Sequence, residues 1–144
     1  MKVVIIKYNA GNIRSVHHAL NRLGIDAEIT ANHQTIKEAD KVIFPGVGEA
    51  STTMAYLKEF GLDELIVGLK QPVLGICLGM QLMCKHSEEN NVDCLGIFDN
   101  NVKLFSPAPE MKNVIKVPHM GWNSLKVTDG SFIPAKLSGE YVYF

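Results

Sequence analysis

The chain has little of what several protein classes require. Its three cysteines are an odd number, which argues against a disulfide framework. Fourteen basic and fifteen acidic residues leave a net charge of -1, without the basic excess typical of proteins that bind nucleic acid or anionic membranes. The longest apolar run near the start, Val3–Ile6, is too short for a signal sequence or a membrane span. We therefore expect a cytoplasmic protein that binds neither nucleic acid nor membranes.

What is present is the composition of an ordinary globular domain. Hydrophobic residues make up 47% of the 144 residues and charged residues 20%. A chain of this length can bury a core without disulfides or metal ions. We expect a single domain over residues 1–144.

The first half alternates between short apolar runs and amphipathic segments. Val3–Ile6 is a continuous β-branched run, typical of a strand buried on both faces. Asn12 is predicted to cap a helix that Gly24 ends and whose apolar side is Ile13, Val16, Ala19, Leu20 and Leu23. Further strands are predicted at 26–30, 42–44 and 72–76, and helices at 51–60, 62–70 and 78–86. Such alternation predicts an α/β fold with an open, mostly parallel sheet and helices on both faces.

The pattern changes from about residue 92. Helical signals are absent, and short alternating runs occur at 96–98, 102–105, 114–117, 124–127 and 141–144. They predict a small antiparallel β section in the C-terminal part. Because the last run stops in mid-strand, we expect the domain to be incomplete at its C-terminal end.

The most informative segment is Gly-Ile-Cys-Leu-Gly-Met-Gln at 75–81. It matches a nucleophile elbow, in which two glycines flank a nucleophile at a sharp strand-to-helix turn. The turn brings other backbone close, so positions 75 and 79 must be very small. Cys77 would lie at a helix N-terminus, whose positive end favours thiolate over thiol. The N–H of Leu78 could hold an oxyanion.

The alternative interpretation of Cys77 is a buried structural cysteine, which is common for free thiols. The two glycines at the right offsets favour the nucleophile. Cys84, seven residues on, is expected to face the core. Neither the cysteine spacing nor a pair of histidines supports a metal site, so no metal is predicted.

A second loop, Pro-Gly-Val-Gly at 45–48, follows the third predicted strand. Ligands of open α/β sheets bind beyond the carboxyl ends of the strands, so this loop should lie beside Cys77. Its glycines would let a backbone N–H turn towards a bound carbonyl, as a second oxyanion donor. It is too short for a phosphate-binding pattern, and a simple tight turn is the alternative.

Together with Pro-His-Met-Gly-Trp-Asn at 118–123 and Asn-Ala-Gly-Asn at 9–12, these segments resemble class I glutamine amidotransferases. More closely, they resemble the glutaminase subunits of imidazole glycerol phosphate synthases. The resemblance runs from residue 1 to 144 and implies a flavodoxin-like fold. It implies hydrolysis of glutamine to glutamate and ammonia through a thioester on Cys77, without a cofactor. Val47 and Leu78 would form the oxyanion hole.

The resemblance also implies substrate and partner sites. Gly48, Gln81 and Glu89 correspond to positions that hold glutamine. Gln81 lies one helical turn beyond Cys77, which agrees with this role, whereas a solvated charge run is the alternative for Glu89. The implied partner is the cyclase subunit, a (β/α)₈ barrel that receives the ammonia in histidine biosynthesis. The residues implied at that interface are His119, Met120, Trp122 and Asn123. A core tryptophan is the alternative for Trp122.

The sequence departs from the family in the general acid/base. The family supplies it from a downstream His-Pro-Glu segment, and none occurs in this chain. His17, His18 and His33 are expected to be exposed. His86 would lie about 13 Å along a helix from Cys77, beyond hydrogen-bond reach. His119 lies in the segment at the partner contact. We therefore expect this chain alone to be inactive or nearly so.

Three alternatives remain open from the sequence. The chain could be an amidotransferase subunit that feeds another synthase, for example in sugar amination. It could be a binding or regulatory module that lacks the full triad. A related thiol hydrolase or protease would need a histidine downstream of the elbow, which the sequence does not offer near it.

Overall fold

The structure is a computed structural model that describes residues 1–9, 12–111, 119–128 and 133–143. The chain forms two compact units, Met1–Leu104 and Phe105–Phe144. Within the described residues, no helix is long and apolar enough to cross a membrane.

The first unit is built on a four-stranded parallel sheet. Its strands are β1 (Val3–Ile6), β2 (Ala27–Thr30), β3 (Lys41–Phe44) and β4 (Val73–Gly75), in the order β2-β1-β3-β4. Ile5 pairs with Ile43, and Phe44 with Gly75, so the carboxyl ends of β1, β3 and β4 meet at one edge of the sheet. The order reverses between β1 and β3, and such a switch point is where α/β sheets bind ligands.

Helices cover both faces of this sheet, as the sequence predicts. On one face, α1 (Ile13–Arg22) packs its partly buried apolar side against Val3, Ile5 and Ile43. On the other, the larger core contains Phe44 and residues of four helices. These are α2 (His33–Lys37), α3 (Ala50–Glu59), α4 (Leu62–Gly68) and α5 (Leu78–Leu82). Burial on both faces explains why β1 is apolar at every position.

Two details of α1 differ from the sequence prediction. Asn12 stands at the N-cap position, but it has a left-handed backbone and its side chain makes no capping bond. Leu23, predicted on the apolar side, is 74% exposed because the helix has already ended at Arg22. Gly24 ends the helix as predicted: at φ 73° its N–H donates to the Asn21 carbonyl.

The secondary structure predicted from the sequence is most in error in the segment after Cys77. The predicted helix over 78–86 is wrong beyond Leu82, because α5 has five residues and is followed by strand β5 (Cys84–Ser87). This strand lies between β6 (Val92–Asp93) and β7 (Phe98–Val102), antiparallel to β6 and parallel to β7. Hydrogen bonding to two neighbours stabilises the strand over a continued helix, so tertiary pairing overrides the local pattern.

The second unit contains an antiparallel pair, β8 (Trp122–Ser124) and β9 (Tyr141–Tyr143). Single 3₁₀ turns occur at Pro109–Met111 and Ala135–Leu137. Together with the antiparallel β5–β6 pair in the first unit, these strands confirm a small β section in the C-terminal part. The predicted run at 114–117 lies outside the described residues.

Candidate active site at the elbow

Cys77 occupies a strained backbone position between β4 and α5. It is the N-cap residue of α5, with φ 53° and ψ −117°. A non-glycine residue in such a sparsely populated region costs about 1–3 kcal/mol and persists only where the surroundings enforce it. Cys77 is also exposed. The structure therefore presents this thiol to solvent on a strained strand-to-helix turn, as a nucleophile elbow requires.

Three glycines allow the backbone segments around Cys77 to approach one another. A Cβ on Gly79 would lie 1.9 Å from the Phe44 carbonyl oxygen, and one on Gly75 would lie 2.7 Å from the Met80 Cα. A Cβ on Gly46 would lie 2.7 Å from the Gly79 nitrogen. The end of β3, the end of β4 and the start of α5 thus pack backbone against backbone. The predicted need for very small residues at 75 and 79 is confirmed.

The 45–48 loop lies against the elbow, as its place after β3 predicts. Its Gly46 contacts α5, and the Ile76 N–H donates to the Phe44 carbonyl at 3.0 Å. Val47 is 42% exposed. Within the described part of the chain, neither the Val47 N–H nor the Leu78 N–H donates a hydrogen bond. Both are therefore available to a bound oxygen.

Tyr8, which sequence reasoning missed, connects β1 to this loop. It is buried, its ring centroid lies 5.4 Å from that of Phe44, and its hydroxyl donates a hydrogen bond to the Pro45 carbonyl. Burial, and secondly the negative charge of a Cys77 thiolate, raise the pKa of Tyr8. The sequence feature that could have indicated Tyr8 is its position two residues after the buried strand β1, at the edge of the sheet where the carboxyl ends of the strands meet.

Glu89 ties the turn between β5 and β6 to the start of α3. Its Oε2 accepts a hydrogen bond from the Ala50 N–H at 2.9 Å, and its own N–H donates to the Ser87 hydroxyl at 3.2 Å. Ala50 is only two residues beyond Gly48, so Glu89 lies near the 45–48 loop. The described contacts occupy one of its carboxylate oxygens.

Glu49, also missed by sequence reasoning, caps α3. Its carboxylate accepts hydrogen bonds from the N–H groups of Ser51 and Thr52 at 2.6 and 2.9 Å. These bonds lower the pKa of Glu49 from 4.5 to about 2. Glu49 and Glu89 together satisfy three of the free N–H groups at the start of α3.

Gln81 lies on α5 and is half-buried. Its backbone N–H donates to the Cys77 carbonyl at 3.0 Å. Gln81 is therefore one turn beyond the cysteine, as predicted.

The other cysteines do not belong to this turn. Cys84, expected to face the core, is half-buried and its thiol contacts the Met80 carbonyl at 3.9 Å. Cys94 is the one that packs against the larger core, and burial raises its pKa. Among the described residues, no group of His, Cys, Asp and Glu could hold a metal ion.

Three histidines pair with groups other than Cys77. His86 Nδ1 lies 3.0 Å from Asp93 Oδ1, and His33 Nε2 lies 3.1 Å from the Phe60 carbonyl. His17, which is half-buried and not exposed as expected, lies 3.4 Å from the Asn21 side chain. His86 is on β5, so the distance of about 13 Å along a continued helix does not apply.

The predicted interface residues belong to the second unit. Trp122 is 69% exposed and forms an edge-on contact with Tyr143, with ring centroids 5.7 Å apart. The interpretation of Trp122 as a core residue is therefore wrong. Met120, Asn123 and His119 are exposed as well.

Comparison with known proteins shows the family to which the chain belongs. The family described as Glutamine amidotransferase class-I matches residues 4–142. Imidazole glycerol phosphate synthase subunit HisH of Bacteroides fragilis is 61% identical over 144 residues, which are 100% of this chain and 72% of that protein. The subunit of the same name from Xylella fastidiosa is 42% identical, over 99% of this chain and 70% of that protein.

A solved structure described as a glutamine amidotransferase superposes with a TM-score of 0.58 at 24% identity. The match covers 69% of this chain and 55% of that one. At this identity, the likeness shows the fold alone.

The chain belongs to the class I glutamine amidotransferase family. Within that family, its relatives at 41–61% identity bear the name imidazole glycerol phosphate synthase subunit HisH. The family resemblance of the sequence and its predicted fold class are confirmed.

Proposed function

We propose that this chain carries the nucleophile of a glutaminase subunit of imidazole glycerol phosphate synthase, which supplies ammonia for histidine biosynthesis in the cytoplasm. The observation that carries this proposal is the exposed, strained Cys77 between Gly75 and Gly79. The names of the closely related proteins support the choice of synthase.

The first chemical step is acyl transfer to Cys77. The thiolate sulfur attacks the side-chain carbonyl carbon of glutamine, and the carbonyl oxygen becomes an oxyanion. The free N–H groups of Val47 and Leu78 are the proposed donors to that oxygen. The C–N bond then breaks, the nitrogen takes a proton and leaves as ammonia, and a glutamyl thioester remains. Attack by water releases glutamate.

Three further residues are proposed to hold the substrate. Gly48 lies in the 45–48 loop, and Gln81 lies on α5, one turn beyond Cys77. Glu89 keeps one carboxylate oxygen unoccupied by the described contacts, and this oxygen suits the α-ammonium group of glutamine.

Both halves of the reaction need a general acid/base, first to protonate the leaving ammonia and then to activate water. The histidines at 17, 33 and 86 pair elsewhere, and we give His119 no such role because it lies in the proposed partner segment. We therefore propose that the 144-residue chain, when alone, accepts an acyl group on Cys77 from an activated ester, whose leaving group needs no proton, but turns glutamine over very slowly.

The proposed partner is the cyclase subunit. His119, Met120, Trp122 and Asn123 are exposed, and an exposed tryptophan beside a methionine is suited to anchoring an interface. We also propose that both compact units belong to one amidotransferase domain. The family match over residues 4–142, which spans both units, supports this.

The Cys77→Ser variant tests the nucleophile. A glutamine analogue with a diazoketone in place of the amide should add covalently to Cys77 in the original chain. Cys77→Ser should fold and bind the partner unchanged but acquire no adduct, since a serine hydroxyl is not ionised at neutral pH. Peptide mass spectrometry locates the adduct, with Cys84→Ser as the matched control that keeps it. Labelling of Cys77→Ser at the original rate would exclude Cys77.

The Trp122→Ala variant tests the partner surface. Because Trp122 is largely exposed, the substitution should change the free energy of unfolding of the chain by less than about 1 kcal/mol. Binding to the cyclase subunit should weaken by about 2 kcal/mol, as for a central aromatic anchor, and glutamine hydrolysis should uncouple from the cyclase reaction. A partly unfolded variant with unchanged partner binding would contradict the assignment.

A further inference from the structure

Tyr8 is the side chain that holds the 45–48 loop by a hydrogen bond. It is the second residue after β1, and its hydroxyl donates a hydrogen bond to the Pro45 carbonyl beyond β3. Among the described residues, this is the single hydrogen bond made to the 45–48 loop by a side chain or by backbone outside it. In the described part of the chain, this hydroxyl is therefore the one polar anchor of a loop that otherwise rests on the packing of Gly46 against α5.

The packing around this hydroxyl leaves it little freedom. The ring is 6% exposed and lies against Phe44, and a Cβ on Gly46 would lie 2.7 Å from the hydroxyl oxygen. By contrast, Val47 and Gly48 are exposed, and Gly48 has φ 125°. Gly46 is thus held between Tyr8 and α5, while the residues beyond it contact solvent.

We infer that Tyr8 is a positioning residue for the oxyanion site: its hydroxyl holds the Pro45 carbonyl and so steadies the loop whose Val47 N–H is the proposed donor to an acyl group on Cys77. The inference rests on the proposed acyl transfer and adds a residue to it. Without the hydroxyl, the peptide between Pro45 and Gly46 can rotate, since glycine resists rotation least.

The electrostatic surroundings keep the hydroxyl in its donating form. Burial and a thiolate at Cys77 both raise the pKa of Tyr8, which favours the protonated hydroxyl. A tyrosinate could not donate to the Pro45 carbonyl.

The test compares two reactions of Cys77 in the Tyr8→Phe variant. With p-nitrophenyl acetate, the thiolate bonds to the carbonyl carbon, an oxyanion forms, and p-nitrophenolate leaves with the electron pair of the broken C–O bond. With iodoacetamide, the thiolate bonds to the methylene carbon and iodide leaves, so no oxyanion forms. Neither reaction needs a general acid or a glutamine pocket.

Peptide mass spectrometry follows both rates at Cys77, separately from Cys84 and Cys94. Tyr8→Phe should slow acetylation about fivefold, equivalent to the loss of one hydrogen bond of about 1 kcal/mol, and leave alkylation unchanged. The matched control is Tyr56→Phe, whose half-buried ring packs on Phe60 at 4.4 Å and which should alter neither rate.

Two results for Tyr8→Phe would overturn the inference: both rates unchanged, or both slowed by the same factor, which indicates a structural role only. The original chain reports separately on the proposed function. If its ratio of acetylation to alkylation is no higher than that of a free cysteine peptide, the elbow has no oxyanion site, and both the function and the role of Tyr8 are refuted.

Discussion

The Gly79→Ala substitution should disrupt the elbow more than its single methyl group suggests. The added Cβ would lie 1.9 Å from the Phe44 carbonyl oxygen and 2.8 Å from its carbon, where ordinary contact begins at 3.4 Å. The end of β3 and the start of α5 must therefore separate by about 1.5 Å, because both contacts are with backbone. The same Phe44 carbonyl accepts a hydrogen bond from the Ile76 N–H, so the substitution should strain that hydrogen bond as well.

We expect Gly79→Ala to lower the free energy of unfolding by about 3–5 kcal/mol, as overpacking and a weakened buried hydrogen bond add. This is a large share of the 5–15 kcal/mol that a domain typically has. Urea unfolding followed by circular dichroism measures the change. The control is Gly68→Ala, which ends α4, has nothing within 4 Å of its Cβ, and should not destabilise the chain.

A free energy of unfolding for Gly79→Ala within about 1 kcal/mol of the original chain would refute the close approach of β3 to α5. The iodoacetamide reactivity of Cys77 in the same variant then shows whether the turn itself has moved.

Two further substitutions test the strain and the capping at the site. Cys77→Gly should be more stable than Cys77→Ala by about 1 kcal/mol, because glycine accepts φ 53° without strain; calorimetry that finds the alanine variant equal or more stable would contradict the strained turn. Because the folded-state pKa of Glu49 lies at about 2, below its ordinary 4.5, the stability contributed by its capping bonds is present above pH 4.5 and is lost as pH falls towards 2. Glu49→Gln should therefore flatten the loss of stability between pH 5 and 2, measured by urea unfolding at each pH, and an unchanged acid limb would exclude this role.

The elements that the sequence predicts well are those whose local pattern and tertiary environment agree. The β-branched run Val3–Ile6 is buried on both faces, so every position in it is apolar. The glycines at 75 and 79 are required by backbone contacts at the turn, and a short motif is enough to indicate such a turn.

The features that it predicts wrongly or misses depend on distant partners or, at Glu49, on a residue type that is not a usual helix cap. The predicted helix runs on through residues 83–86, but β5 forms there because β6 and β7 lie beside it. The sequence does not indicate the contact of Tyr8, because the carbonyl that its hydroxyl binds is 37 residues away. Glu49 caps a helix although serine, threonine, asparagine and aspartate are the usual capping residues.

The nucleophilic role of Cys77 is tested most directly by the mass of the chain after brief incubation with an activated γ-glutamyl ester, quenched in acid. We predict a single glutamyl thioester, located on Cys77 and removed by hydroxylamine, that forms faster than any adduct on Cys84 or Cys94. Equal acylation of all three cysteines, or none on Cys77, would contradict it.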